Sequence, residues 1–465
     1  MKRLLLPILL LASCGPTRTE EVVPRYAVLT SLPVDHPLRR FAEDLARRRY
    51  GTVVEFNRLD SALGRLRALQ PSYVAVVIRP EELDANFQLS LFELSCRLDG
   101  DPFPDFAWGY FLAADAASLE RQIQTVRGAE ARVDRRLLRL AHLEPGAAES
   151  RASTVDLEWA TRLPCRVVSV KEGDLEFLHK NHPSLMEADV LILEGEGSPE
   201  GIRGLPPGEA RLLKLDNTAV FSGASYTGAA GPVFETVGDT VARRPVPHDR
   251  TFVRTILQSG AVALFAPLHR TLPGLAAFEW AGAILYDAPY GESMKRTYDL
   301  AILSSGYATP TVGRFVDGRT APTGHDTPGF LAMTRVLYGD PLIYPPTRPA
   351  IGPVALDPPV DGEDAQGQRT RTFRVRVVSP DCAPFFTDPF SGGPQRVYLR
   401  LPCPAGTRKA FAETRTCELD GKKVRGFIES QALELWRGET ILHVLMRGDD
   451  LARKDLRIEL SVRLK

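Results

Sequence analysis

Two short apolar segments, each of which runs directly into a glycine-rich loop, constrain the fold of this sequence more than any other feature. Residues 188–193 read Ala-Asp-Val-Leu-Ile-Leu, and residues 194–198 follow as Glu-Gly-Glu-Gly-Ser. Residues 218–221 read Thr-Ala-Val-Phe, and residues 222–228 follow as Ser-Gly-Ala-Ser-Tyr-Thr-Gly. Short, almost continuous apolar runs are typical of parallel strands that are buried on both faces. Because ligands of open parallel sheets bind beyond the carboxyl ends of the strands, the pattern predicts that both loops face one crevice.

Strand-like and helix-like segments alternate from residue 26 to about residue 340. Short apolar segments that favour strands occupy 26–30, 52–56, 73–78, 166–170 and 261–265. Helical periodicity occupies 38–50, 59–69, 117–127, 252–259, 290–303 and 330–337. This alternation predicts an α/β fold with mostly parallel sheets, arranged as two α/β subdomains that comprise residues 25–150 and 151–349.

The character of the sequence changes near residue 350. A proline-rich stretch leads into segments in which apolar and polar residues alternate, at 372–378, 396–401, 440–445 and 456–464. Alternation with a period of two is typical of antiparallel strands that bury one face. We therefore predict a linker at residues 350–369 and an antiparallel β-sandwich domain at residues 370–465.

The N-terminus has the pattern of an export signal. Two basic residues precede an apolar run at residues 4–11, which is shorter than the roughly 20 residues needed to span a bilayer. Such a pattern is typical of a secretory signal peptide. Leu-Ala-Ser-Cys-Gly at residues 11–15 resembles the lipobox of bacterial lipoproteins. The resemblance implies a signal segment at residues 1–14, a tether at 15–24, and membrane lipid attached through Cys14 in the cell envelope; an ordinary signal peptide is the alternative.

The charge balance and the cysteines limit which partners, disulfides and metal sites we expect. The 58 basic and 58 acidic residues balance, which argues against a nucleic-acid partner and leaves the oligomeric state open. Cys96 and Cys165 stand in apolar surroundings and are expected to be buried thiols. A disulfide is possible among the C-terminal cysteines in an exported protein, and the sequence leaves the pairing open for Cys382, Cys403 and Cys417. Neither cysteines nor histidines have metal-ligand spacing, so we expect no metal and no cofactor.

The two glycine-rich loops resemble the catalytic loops of gingipain-type cysteine peptidases, which have a caspase-like fold. In that family the first loop is Gly-His-Gly, with the histidine as general base, and the second carries the nucleophile in a Ser-Gly-Ala-Cys-Tyr-Thr-Gly-like sequence. Segments that resemble the family follow in its order at 257–267, 291–296 and 339–341. The resemblance implies two caspase-like subdomains, an immunoglobulin-like domain after them, and a peptide or protein ligand in the cleft.

The chain departs from the family at both catalytic positions. Glu196 stands in place of the histidine and Ser225 in place of the cysteine. A cysteine forms a thiolate readily beside a histidine, whereas a serine is a weak nucleophile without a strong base. A glutamate with a pKa near about 4.3 is a poor proton acceptor, and loss of a positioned base costs about 10²–10⁴ in rate. We therefore predict a degenerate catalytic centre in a cleft lined by Glu194, Gly195, Gly197, Gly223, Ala224 and Tyr226.

Other readings of the same residues stay open. Ser225 could be a serine nucleophile in acid with Glu196 as its base. His182 or His269 could supply the base instead, although each fits a structural histidine better. Glu194 and Glu196 lie two residues apart, so on a strand end they would share a face as paired carboxylates. The sequence thus allows a non-catalytic binding or scaffold protein, which we favour, or a hydrolase with altered chemistry.

Overall fold

The computed structural model covers most of the chain from residue 25 onward. It describes residues 25–130, 137–144, 150–158, 166–170, 189–205, 207–211, 213, 215–216, 218–271, 275–276, 279, 288–305, 313–345, 354–377, 396–419, 421–448 and 456–465. The predictions for the signal segment, the tether, Cys14, Cys165, His182 and Cys382 lie outside these residues. Within the described residues, the structure contains no helix of the length and apolarity that crossing a membrane requires.

The first part of the chain alternates strands and helices. Its helices are α1 Arg39–Arg48, α2 Leu63–Leu69, α3 Ala85–Ser95, α4 Ala116–Glu130, α5 Pro207–Ala210, α6 Phe252–Gln258, α7 Tyr290–Ser304 and α8 Pro328–Met333. Its strands are β1 Tyr26–Thr30, β2 Thr52–Glu55, β3 Tyr73–Ile78, β4 Ala107–Leu112, β5 Leu137–Glu144, β6 Ser150–Glu158, β7 Arg166–Val170, β8 Val190–Leu193, β9 Gly197–Ser198, β10 Gly201–Ile202, β11 Ala219–Ser222, β12 Val233–Val237, β13 Thr240–Arg244, β14 Ala263–Pro267 and β15 Arg335–Tyr338.

One large sheet runs through this whole part of the chain. Its 11 strands follow the order β2-β1-β3-β4-β15-β14-β11-β8-β5-β6-β7. Most neighbours are parallel; the antiparallel pairs are β14 with β15, β5 with β6, and β6 with β7. Strands β1, β3, β4, β8, β11 and β14 are completely buried, which explains their continuous apolar sequences. The predicted α/β class with a mostly parallel sheet is confirmed.

The predicted helix at 330–337 is wrong in its second half. Helix α8 ends at Met333, and Arg335–Tyr338 forms strand β15. This strand lies between β14 and β4 and joins the two halves of the sheet. The Val-Leu-Tyr run within it is typical of strands, and every residue of β15 is buried. The apolar pattern of this segment fits a helix as well as a strand, and tertiary packing determines that it forms a strand.

The sheet does not divide at residue 150. Strand β5 lies within the predicted 25–150 subdomain, yet it pairs parallel with β8 in the second half of the sheet. Strand β6 pairs with β5 and begins at Ser150, so it lies at the predicted boundary. The chain therefore passes to the second half of the sheet after α4, before the boundary that the sequence pattern indicated.

The C-terminal part consists of antiparallel strands in two sheets. The strands are β16 Val354–Leu356, β17 Val360–Glu363, β18 Arg369–Val377, β19 Arg396–Cys403, β20 Ala410–Leu419, β21 Lys422–Lys423, β22 Gly426–Trp436, β23 Glu439–Gly448 and β24 Arg457–Leu464. One sheet has the order β16-β18-β24-β20-β21, with β17 also on β18, and the other has the order β19-β23-β22. The two sheets enclose an apolar core, so the predicted β-sandwich is confirmed. Strands β20 and β22 were not predicted.

The prediction of a linker at 350–369 needs correction. Strands β16 and β17 lie inside that range, and both pair antiparallel with β18. Two prolines, Pro358 and Pro359, separate them, which is the placement expected for residues that cannot donate to a ladder. The proline content suggested a linker, whereas these residues already belong to the sandwich.

Strand β23 is buried on both faces and connects the sandwich to the α/β part. Leu442, Val444 and Met446 pack in the core between the two sheets of the sandwich. Ile441 and Leu445, which point to the opposite face, belong to the core of the α/β part. The sheet β19-β23-β22 therefore packs on its second face against the α/β part, which includes α7.

A buried network of charges crosses this interface. Lys295 Nζ on α7 donates to Asp299 Oδ1 at 2.8 Å and to Glu434 on β22. Glu434 Oε2 lies 2.6 Å from His443 Nε2, and Tyr398 Oη lies 2.6 Å from His443 Nδ1. Burial would raise the pKa of Glu434, but Lys295 and His443 outweigh it and hold the pKa at about 2. The Lys295 ammonium is therefore the main source of charge compensation for both carboxylates, and His443 adds to it.

Removal of the ammonium should destabilise the protein strongly. We expect Lys295→Met to lower the free energy of unfolding by about 3–5 kcal/mol, because it leaves buried carboxylates without their partner. Lys422→Met removes the same charge from an exposed position on β21 and should change stability by less than about 0.5 kcal/mol. Urea unfolding of both variants measures the difference. A Lys295→Met protein as stable as the control would contradict this account of the interface.

Candidate functional site

The two predicted glycine-rich loops leave the sheet side by side. Strands β8 and β11 are parallel neighbours, and their last paired residues are Leu193 and Ser222. The N–H of Gly223 then donates to Leu193 O at 2.7 Å and continues the ladder by one step. The loop at 194–198 and the loop that carries Ser225 therefore begin at the same edge of the sheet.

Two glycines allow the loops to pack closely. A methyl group on Gly197 would overlap the carbonyl oxygen of Ser225. A methyl group on Gly223 would lie 3.3 Å from the Glu194 side chain, which covers that position. The backbone of the first loop thus lies directly against the backbone of the second loop next to Ser225.

The Ser225 loop is a tight turn held by its own side chains. Thr227 Oγ1 donates to Ala224 O at 2.7 Å, and it lies 2.7 Å from Ser222 Oγ. Because the single hydroxyl hydrogen of Thr227 is used, Ser222 donates in the second contact. Tyr226 has a φ of 62°, in the left-handed region that bulky residues seldom adopt. Backbone strain of this kind is concentrated at functional sites.

The Ser225 hydroxyl has a backbone partner and no base. Its Oγ accepts a hydrogen bond from Thr271 N at 3.3 Å. Within the described residues, neither a carboxylate nor an imidazole hydrogen-bonds to it. Of the turn's N–H groups, those of Gly223, Ala224 and Tyr226 donate to protein oxygens. The N–H groups of Ser225 and Thr227 donate to none in the described part of the chain; Thr227 is buried, so the N–H of Ser225 is the one that a ligand can reach.

Glu196 is exposed and pairs with an arginine. Its carboxylate lies 3.3 Å from Arg203 Nη1, and the side chains are 77% and 62% exposed, respectively. Its carbonyl oxygen also accepts from Arg203 N at 2.8 Å. Among the described contacts, no hydrogen bond joins Glu196 to Ser225. The resemblance places Glu196 and Ser225 at the two catalytic positions of the family, and this assignment stays a prediction.

His269 lies near the Ser225 turn but is fully buried. Its carbonyl oxygen accepts from Tyr226 N at 2.9 Å, and its ring packs edge-on against the Tyr226 ring at 5.5 Å between centroids. Burial lowers the pKa of His269 to about 4, and the charges of Arg270 and His325 contribute. Such an imidazole is a weak base, and its ring makes no hydrogen bond to Ser225. A structural role therefore fits this histidine.

A buried ion pair that the sequence did not reveal holds the backbone next to the Ser225 turn. Arg335 on β15 donates through Nε to Glu279 Oε1 at 2.5 Å and through Nη2 to Glu279 Oε2 at 2.6 Å. The same guanidinium donates to Ser222 O at 2.9 Å and to Thr271 Oγ1 at 3.0 Å. It therefore holds both the strand end before the Ser225 turn and the residue whose N–H binds Ser225 Oγ. In the sequence, the only indication of this ion pair is that Arg335 is a single charged residue among apolar residues just before Gly339.

One group of described residues has the spacing of a metal site. The ligand atoms of Asp299, Glu434 and His443 lie within 4.8 Å of one another, and all three residues are buried. The Lys295 ammonium already binds both carboxylates, and both ring nitrogens of His443 have partners. An ammonium ion takes the place of a cation there, so these residues do not fit a metal ion.

Two solved structures are similar to this chain. A crystal structure of the Arg-specific cysteine proteinase gingipain R (RgpB) aligns with a TM-score of 0.43 and 13% sequence identity, over 94% of this chain and 98% of that chain. The complex of the pro- and mature domains of RgpB from Porphyromonas gingivalis aligns with a TM-score of 0.40 and 12% identity, over 93% of this chain and 98% of that chain. Both are gingipains, the family that the two loops resemble. No protein-family model and no curated protein matches the sequence.

The contact between the loops can be tested at Gly197. We expect Gly197→Ala to lower the free energy of unfolding by about 1–3 kcal/mol, because the added methyl group forces the two loops apart. Gly64→Ala is the matched control: Gly64 lies in α2 with open space around it, and alanine should stabilise the helix by about 0.5–1 kcal/mol. Thermal or urea unfolding distinguishes the two variants. Equal stability of both would show that the loops do not pack as described.

Proposed function

We propose that this protein is a membrane-anchored lipoprotein with a gingipain-like peptidase fold that binds peptides or proteins and does not hydrolyse them. The state of Ser225 carries the proposal. Its hydroxyl accepts a backbone hydrogen bond from Thr271 N, and within the described residues no base contacts it. Peptide hydrolysis requires a nucleophile, a base and an oxyanion site within hydrogen-bond reach of one another. Of these three, the described residues place no base at Ser225, and a serine is a weak nucleophile without one.

The same geometry supports binding. The N–H of Ser225 donates to no acceptor among the described residues, and the turn around it is fixed by hydrogen bonds and by the ion pair of Arg335. A rigid backbone donor beside a cleft is suited to the carbonyl group of an extended peptide. This property depends on the fold of the turn, so it outlasts the loss of catalytic side chains.

The alternative function is that of a hydrolase with Ser225 as nucleophile. One observation favours it: the strained φ of Tyr226 keeps the preceding residue on a sharp turn, as active nucleophiles often require. Two observations count against it. Glu196 is exposed and paired with Arg203, and His269 is buried with a pKa of about 4. We therefore favour the binding protein.

The absence of catalysis is directly measurable. The unmodified protein should not hydrolyse a peptide library between acid and neutral pH, and a fluorophosphonate probe should not label Ser225. Ser225→Ala and the control Ser198→Ala, which changes a serine of the neighbouring loop, should behave like the unmodified protein. Hydrolysis or labelling that Ser225→Ala abolishes and Ser198→Ala preserves would establish the serine hydrolase instead.

A further inference from the structure

A groove opens at one end of the β-sandwich, far along the chain from the candidate peptide site. Its volume is about 580 Å³, within the range of roughly 300–1,000 Å³ that is usual for ligand pockets. The start of β20, the end of β24 and the middle of β22 contribute side chains to it. Its principal lining residues are Arg408, Lys409, Phe411, Leu433, Arg463 and Lys465.

Four basic side chains line the groove: Arg408, Lys409, Arg463 and Lys465. Elsewhere on the same sheet, arginines form ion pairs across strands, with distances of 2.6 Å for Arg371–Asp361 and 3.1 Å for Arg374–Glu459. In the groove, Arg463 pairs with Glu413, its one ion-pair partner among the described residues. Three of the groove's cations form no ion pair within the described residues: Arg408, Lys409 and Lys465.

The backbone beneath these cations is fixed. The N–H groups of Arg408 and Lys409 donate to Lys465 O at 2.9 Å and 3.0 Å. Lys465 N in turn donates to Lys409 O at 2.8 Å. The three cationic residues are therefore held together by the ladder and not by attraction between their side chains, which repel one another. The basic side chains that line the groove are complementary in charge to an anion.

Apolar surface lies beside the cations. Phe411 is 53% exposed, and the Arg463 guanidinium lies 5.6 Å from the centre of its ring. Leu433 lines the groove and is partly exposed. Cations next to an exposed aromatic ring match the chemistry of a membrane interface, where phosphates and the edge of the acyl region lie within a few ångströms. A free inorganic anion would bind the cations and would make no contact with the aromatic ring.

We propose that this groove is a docking surface for anionic phospholipid headgroups. The phosphates would bind Arg408 and Lys409, and the Phe411 ring would enter the interface beside them. The contact would orient the sandwich on the bilayer to which the predicted lipid anchor at Cys14 attaches the chain. It is independent of the Ser225 turn, so it stands or falls separately from the proposed peptide binding.

The test compares vesicle binding by two double variants of the full chain. Vesicles contain phosphatidylcholine alone or with about one-third phosphatidylglycerol, and co-sedimentation gives the preference for the anionic vesicles. Arg408→Gln with Lys409→Gln should reduce that preference roughly ten- to thirty-fold, since each basic residue near a membrane contributes about 1 kcal/mol. Lys422→Gln with Lys423→Gln removes equal charge from exposed positions on β21 and should leave the preference unchanged.

Each outcome decides the proposal. Phe411→Ser keeps the charge and should also weaken binding to the anionic vesicles. An unchanged preference in the Arg408 and Lys409 variant, or an equal loss in the β21 control, would overturn the proposal. Inorganic phosphate and a short single-stranded DNA serve as further probes. If either raises the melting temperature through Arg408 and Lys409 while vesicles show no preference, the groove binds that soluble anion and the membrane proposal fails.

Discussion

Arg335 forms the buried ion pair that connects the centre of the sheet to the Ser225 turn. Its strand, β15, joins the two halves of the 11-stranded sheet, and its guanidinium is completely buried. A buried cation is tolerated because Glu279 accepts two of its hydrogen bonds and Ser222 O accepts another. The residue that lets the chain close into one sheet therefore also fixes the turn that carries Ser225. These contacts involve the backbone of Ser222 and the side chain of Glu279, so the framework does not depend on the chemistry of the residue at position 225.

The geometry of the candidate site is set by its backbone. Gly197 and Gly223 let the two loops approach, and the φ of Tyr226 keeps the turn sharp. None of these features depends on whether the residues at 196 and 225 are catalytic. A thiolate–imidazole pair needs a nucleophile that ionises easily and a base near neutrality, and a serine and an exposed glutamate provide neither. Binding through backbone groups makes no such demand.

The sequence predicted the parts of the fold in which the local pattern and the tertiary environment agree. Continuous apolar runs such as Tyr73–Ile78 became buried parallel strands, and the loops after β8 and β11 emerged at one edge. Prediction from the sequence failed where contacts between residues far apart in the chain determine the structure. Residues 335–338 fit a helix by periodicity, and only the gap between β14 and β4 makes them a strand. The ion pair of Arg335 with Glu279 joins residues 56 positions apart, and no local signal links them.

The central claim is that the loops after β8 and β11 bring positions 196 and 225 close enough for a histidine and a cysteine placed there to interact. The most direct measurement is the pH dependence of alkylation by iodoacetamide in Glu196→His with Ser225→Cys, compared with Ser225→Cys alone. A small reagent makes the result independent of any specificity pocket. The account predicts that the double variant has a thiol pKa well below the usual value of about 8.5 and that the single variant does not. Identical thiol pKa values in the two variants would contradict it.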